Sequence, residues 1–252
     1  MQPVTWLSLA IGNSRLHWAE FVDDRLQKTW HTAHLSTAEV QQHIQEFEER
    51  SSPPELWIAS VVPTQNQWQS YSRAHLLQRE QVPLEGMYPT LGIDRALALW
   101  GAITTISAPI LVIDAGTALT FTGADGKHTL VGGAILPGLW LQFKALGQGT
   151  AALPALPADS PLPPRWARNT PDAIASGILH TVLAGVRSFI ADWQQQFPGG
   201  AVVLTGGDGD RLHQLLTQQF PELGEVKIDP HLIFWGCRAV REQILAAAIL
   251  RP

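Results

Sequence analysis

The sequence predicts a mixed α/β protein of two similar lobes, and three observations lead there. The chain of 252 residues exceeds the ~100–200 residues usual for one domain. Short apolar strands alternate along it with stretches of helical spacing. A strand, a glycine turn and a second strand occur once in each half, with Ala10 and Gly12 falling at the same offset as Asp114 and Gly116. Two unrelated glycine hairpins would give so short a match as readily as duplication would. The expected lobes are residues 1–107 and 108–252.

Each element has its own signal. Leu7, Leu9 and Ile11 alternate before Gly12-Asn13, a turn dipeptide, and a second β-rich run ends near Phe21. Val40, Ile44 and Phe47 share one face of a helix over residues 37–50, which Ser51-Ser52-Pro53-Pro54 ends. An apolar strand at 56–62 stops at Pro63. A helix over 95–106 places Ala96, Leu99, Trp100 and Ile103 on one side. Residues 110–113 open the second hairpin, and Ala201–Leu204 runs into Gly206-Gly207 as a buried strand. Helices are expected at 171–197 and 237–250. Five prolines between residues 153 and 164 make that stretch an extended loop.

Composition narrows the function. Hydrophobic residues at 45% and charged residues at 15% supply a core and exclude general disorder. A net charge of −5 argues against nucleic acid, whose phosphates demand clustered Lys and Arg. The single cysteine, Cys237, excludes an intrachain disulfide and a multi-cysteine zinc site. No basic residues precede the short apolar stretch at the N-terminus, and no apolar run approaches the ~18 residues of a membrane span. A cytoplasmic protein with no membrane partner is expected.

Three segments could carry chemistry. The turn at Gly12, Asn13 and Ser14 lets backbone N–H groups and a hydroxyl approach a phosphate, although an ordinary hairpin has the same sequence. Asp114, Gly116 and Thr117 put a carboxylate and a hydroxyl at a strand end, suited to a cation and phosphate oxygens or to an Asx turn. Gly92-Ile93-Asp94-Arg95 opens a helix. There Asp94 is an N-cap or the acceptor of a substrate proton, and the helix N-terminus is expected to stabilise its carboxylate and make it a weak base. Arg95 can hold a carboxylate or phosphate bidentately. Thr170 before Pro171 likewise serves as an N-cap or as a hydroxyl offered to a ligand. Gly-Lys-Ser/Thr and Gly-x-Ser-x-Gly are absent, and the histidines show no metal-ligand spacing.

Taken in order, IGNSRLHW (11–18), IASVVP (58–63), YPTLGIDR (88–95), IDAGTALT (113–120), GGAILPG (132–138), TAALP (150–154), NTPDAIASG (169–177) and TGGD (205–208) resemble the type III pantothenate kinases. These belong to the acetate kinase/sugar kinase/Hsp70/actin superfamily. The resemblance implies two duplicated actin-like (ribonuclease H-like) lobes with ATP in the cleft. It implies ATP-dependent phosphorylation of pantothenate, the first step of coenzyme A biosynthesis, by a homodimer using Mg²⁺ and K⁺ or NH₄⁺. Asp94 would be the proton acceptor, with Tyr88, Gly92, Ile93, Arg95 and Thr170 contacting pantothenate. Ile11, Gly12, Asn13, Ser14, Arg15 and Thr117 would meet ATP, residues 205–208 would lie near the adenosine, and Asp114 would bind the monovalent cation. One departure stands out: the family's Asp-x-Gly-Asn-Thr is here Ala10-Ile11-Gly12-Asn13-Ser14. The absent carboxylate is what makes a non-catalytic, nucleotide-binding regulatory relative the alternative.

Overall fold

The computed structural model describes residues 3–62 and 67–249. Pro63 and Leu250, expected to end a strand and the last helix, lie outside the described residues. The chain divides into two units, one running to Thr105 and resuming at Leu232, the other spanning Ile106–His231.

In the first unit, β1 (Thr5–Ile11), β2 (Leu16–Val22), β3 (Arg25–Thr32), β4 (Glu55–Ser60) and β5 (Ala74–Leu76) form one sheet in the order β3-β2-β1-β4-β5. β1, β2 and β3 are antiparallel neighbours, whereas β4 runs parallel to β1 and β5 parallel to β4. Alternation sorts the side chains between the two faces. Leu7, Leu9, Ile11, Leu16 and Trp18 pack on Val40, Ile44 and Phe47 of α1 (Thr37–Glu48). A capping box starts α1: Ser36 Oγ accepts from Glu39 N–H, and Glu39 Oε2 accepts from Ser36 N–H at 2.7 Å.

On the opposite face lies α6 (Leu232–Ile249). Its Arg241 guanidinium sits 4.7 Å from the Trp6 ring centroid and bonds Glu55 Oε2 at 2.9 Å. α2 (Ile93–Thr105) packs against α6 so closely that the two touch through glycines. A Cβ on Gly101 would overlap the Leu232 carbonyl oxygen, and one on Gly236 the Leu97 carbonyl oxygen. The last helix therefore belongs to the first unit, whereas the expected division put it in the second lobe. Sequence distance favoured the wrong neighbour; the glycine crossing and the Arg241–Glu55 pair decide otherwise.

The second unit repeats the plan. β6 (Ile110–Ala115), β7 (Ala118–Ala124), β8 (Leu130–Pro137), β9 (Ala201–Thr205) and β10 (Lys227–Ile228) follow the order β10-β9-β6-β7-β8. Again three strands form an antiparallel meander, and the fourth and fifth join parallel on the other side. Ala10 in β1 pairs with His17 and Ala59, while Asp114 in β6 pairs with Thr120 and Thr205. Shared strand order and shared pairing directions make the two hairpins equivalent positions of a duplicated fold rather than a chance match, although the second turn is one residue shorter. α4 (Thr170–Gln196) lays Ile178, Val182, Val186 and Ile190 into the core of this unit. By length and composition it passes as a membrane span, but half of that stretch is buried within the protein. α3 (Leu139–Gly149) and α5 (Gly209–Gln219) add Leu139, Phe143, Leu212 and Leu216 to the same core.

Candidate active site

In the first unit, the turn after β1 is closed by Gly12 N–H donating to the Arg15 carbonyl at 3.0 Å. Ile11 is buried in the core, whereas the side chains of Asn13, Ser14 and Arg15 reach solvent. The Asn13 carbonyl lies 3.2 Å from His34 Nε2. The turn thus presents an amide, a hydroxyl and a guanidinium from a braced backbone, a donor set suited to phosphate oxygens.

Val61 ties this hairpin to the start of α2. Its N–H donates to the Ile11 carbonyl at 3.1 Å, and its side chain lies 4.0 Å from where a Gly92 Cβ would be. Gly92 accepts from Ala96 N–H with its carbonyl, so it holds the capping position and Asp94 sits inside the first turn. The expected N-cap role of Asp94 is therefore corrected. Its Oδ1 accepts from Arg95 N–H at 2.8 Å and folds back over the position a Gly92 side chain would occupy.

Burial raises the Asp94 pKa above the ordinary aspartate value, although the backbone N–H groups of Arg95 and Asp94 and the charge of Arg95 pull it down. Desolvation outweighs the helix terminus here, opposite to the expectation of a stabilised, weakly basic carboxylate. Arg95 is buried, and its Nη1 donates to the Tyr88 hydroxyl at 2.8 Å. Tyr88, Gly92, Ile93, Asp94 and Arg95 are thus brought together. Beside them opens a cavity of about 440 Å³, lined in part by Val61, Arg79, Gly92 and Ile93. Arg79, which no motif marks, donates to the Pro89 carbonyl and pairs with Glu80, bracing the loop that carries Tyr88.

In the second unit, Asp114 lies one residue before the end of β6, among glycines. A Cβ on Gly206 would strike Asp114 Oδ1 and lie 2.7 Å from the Ala115 carbonyl oxygen, and one on Gly116 would lie 3.3 Å from that carboxylate. Gly206 also has φ +87°, a conformation glycine adopts without strain. Gly138 N–H donates to the Thr117 carbonyl at 2.9 Å, and Asp208 N–H to the Ala115 carbonyl at 2.9 Å. The second hairpin is thereby clamped by backbone from two directions. The Asp114 carboxylate and the Ala115 carbonyl both face the space that Gly206 leaves open, oxygen ligands of the kind a monovalent cation takes. Magnesium finds no carboxylate at residues 10–15 around the first turn, and no group of three or more His, Cys, Asp or Glu side chains placed to hold a metal ion occurs among the described residues. Such a site fits magnesium delivered on phosphate oxygens, as this ion commonly is.

The structure gives the cap of this helix to a residue other than Thr170. Asn169 is the N-cap, its Oδ1 accepting from Asp172 N–H at 2.9 Å. Thr170 is the first residue of α4 and is exposed. Its hydroxyl is not spent on the cap.

The family model for type III pantothenate kinase matches residues 6–192. A type III pantothenate kinase from Nostoc sp. is 46% identical over 258 residues, covering 93% of this chain and 94% of that one. Among solved structures, a Baf family transcriptional activator from Campylobacter jejuni superposes with a TM-score of 0.65 at 24% identity, covering 95% of this chain and 99% of that one. MreB 5 of Spiroplasma citri does so with a TM-score of 0.52 at 9% identity, covering 97% and 98%. Both structural likenesses speak for the actin-like fold alone. The family match and the 46% identity decide the rest: the chain belongs to the type III pantothenate kinase family.

Proposed function

We propose that the chain transfers the γ-phosphoryl group of ATP to the 4′-hydroxyl of pantothenate, giving 4′-phosphopantothenate and ADP at the first step of coenzyme A biosynthesis. The observation that carries this is the half-buried Asp94 carboxylate at the head of α2, beside Arg95 and Tyr88. The pantothenate hydroxyl gives its proton to Asp94 as its oxygen bonds the γ-phosphorus. The bond from that phosphorus to the bridging oxygen breaks, and the electron pair leaves with ADP. Such a transfer has a loose transition state that needs an oriented hydroxyl more than a strong base. The raised Asp94 pKa nevertheless makes it a better acceptor than an ordinary aspartate.

Arg95 steadies the substrate or the transferring group, held in place by Tyr88. Ile11, Gly12, Asn13, Ser14, Arg15 and Thr117 form the ATP phosphate motifs, and Thr170 gives its hydroxyl to pantothenate. Asp114 would hold K⁺ or NH₄⁺, which supplies positive charge close to the phosphates. A homodimer and a cytoplasmic location complete the proposal. The regulatory alternative rested on Ala10 and finds no support in relatives named as kinases.

ADP release with ATP, Mg²⁺ and pantothenate, run in potassium, ammonium and sodium buffers, tests this. Turnover should require pantothenate and be supported by potassium or ammonium but not by sodium. Pantothenate-independent ADP release, or equal rates in all three salts, would count against it. Gly92→Ala should also lower kcat by roughly ten- to a hundred-fold while ATP affinity holds, since its Cβ displaces the Asp94 carboxylate. Steady-state kinetics beside a direct ATP-binding measurement separates the two effects.

A further inference from the structure

The equivalent rows of the two sheets differ in where their polar group lies. In the second unit the row reads Thr205, Asp114, Thr120, with the carboxylate on the central strand. In the first it reads Ala59, Ala10, His17, His31, with both inner positions apolar and the polar group one strand over. Directly paired residues share a face with Cβ atoms ~4.5–5.5 Å apart, so His17 stands beside the position the missing carboxylate would fill. Its Nδ1 lies 2.9 Å from His31 Nδ1, and the two rings meet edge to face. That contact fixes the ring and turns its other edge to the hairpin, with Nε2 3.7 Å from where a Gly12 Cβ would be.

We propose that His17, oriented by His31, is a phosphate-binding residue of the first hairpin, donating from Nε2 to the polyphosphate chain of a nucleoside triphosphate in place of the carboxylate absent at position 10. The proposal rests on that hairpin being a phosphate motif. The bond between the rings needs one donor and one acceptor. In the proposed arrangement His31 Nδ1 donates and His17 Nδ1 accepts, so that His17 carries its proton on Nε2 toward the ligand. Burial, followed by the nearby His31 and Arg15, lowers the His17 pKa to about 4, so the ring is neutral at pH 7. A neutral donor adds no repulsion toward phosphate, whereas an aspartate there would need a cation to offset it. His31 acts through His17 and is a positioning residue.

The test is direct binding of ATP and of adenosine to wild type, His17→Ala and His17→Gln, each with and without Mg²⁺, with folding checked by circular dichroism. His17→Ala should weaken ATP binding on the order of ten-fold, as expected for one lost hydrogen bond to a charged group, and leave adenosine binding unchanged. His17→Gln, which keeps an N–H donor, should restore most of the affinity. ATP binding by folded His17→Ala equal to wild type would overturn the proposal. So would equal losses for ATP and adenosine, or a loss seen only with Mg²⁺, which would mark a metal ligand instead. Binding is read without turnover, so a wild type that binds ATP but fails to phosphorylate pantothenate would refute the kinase activity and leave His17 to be judged separately.

Discussion

Asp94→Asn should leave the fold intact and remove at least ~100-fold of pantothenate turnover. Asn can accept the same bond from Arg95 N–H through its side-chain oxygen, and it fits the space Gly92 leaves open. What it cannot do is take a proton. Because burial raises the Asp94 pKa, its ionised form is disfavoured by the folded state. The stability Asp94 contributes is full below its unfolded pKa and declines as pH rises through the folded value. The Asn variant should therefore be at least as stable as wild type at pH 7. Activity has the opposite sign: the wild-type rate should fall as pH drops through a pKa above the ordinary aspartate value, and that limb should vanish in the variant. Stopped-time ADP assays across pH, beside thermal melts of both proteins, check both statements. A variant that retains wild-type turnover would remove Asp94 from the chemistry.

Gly236→Ala should cost ~3 kcal/mol or more of stability. The added methyl meets the Leu97 carbonyl, a backbone atom that cannot rotate away, so α2 and α6 must separate along their contact. Gly101→Ala meets the Leu232 carbonyl in the same crossing and should behave alike. Gly177→Ala is the control. It lies exposed in α4 with nothing within 4 Å of its Cβ, so the better helix former should be neutral or stabilising by up to ~1 kcal/mol. Urea unfolding of the three variants gives the comparison. Because α2 carries Asp94 at its start, turnover should fall with stability in the two crossing variants and not in the control.

The sequence shows some of this plainly and hides the rest for identifiable reasons. The two hairpins are legible because a strand end, a glycine and a hydroxyl are local features, and the expected turns at Gly12 and Gly116 form. The core faces of α1 and α4 are legible because Val40, Ile44 and Phe47, and Ile174, Ile178 and Val182, follow helical spacing into their sheets. β3 escapes because it is a polar edge strand whose exposure does not alternate cleanly. α6 is assigned to the wrong half because nothing local says that Gly236 will meet Leu97.

At the candidate site, Asn169 and Thr170 are both good caps by type, and only backbone geometry selects Asn169. The sign of the Asp94 shift depends on how much protein surrounds it, which residue identity does not record. The His17–His31 contact joins two strands across a register that the sequence leaves open.

Transfer of label from [γ-³²P]ATP to pantothenate by the purified wild-type protein is the most direct test of the central claim. Label should appear in 4′-phosphopantothenate, at a rate that potassium or ammonium supports and that Asp94→Asn abolishes. Folded protein that binds ATP yet leaves pantothenate unlabelled in every salt would contradict it.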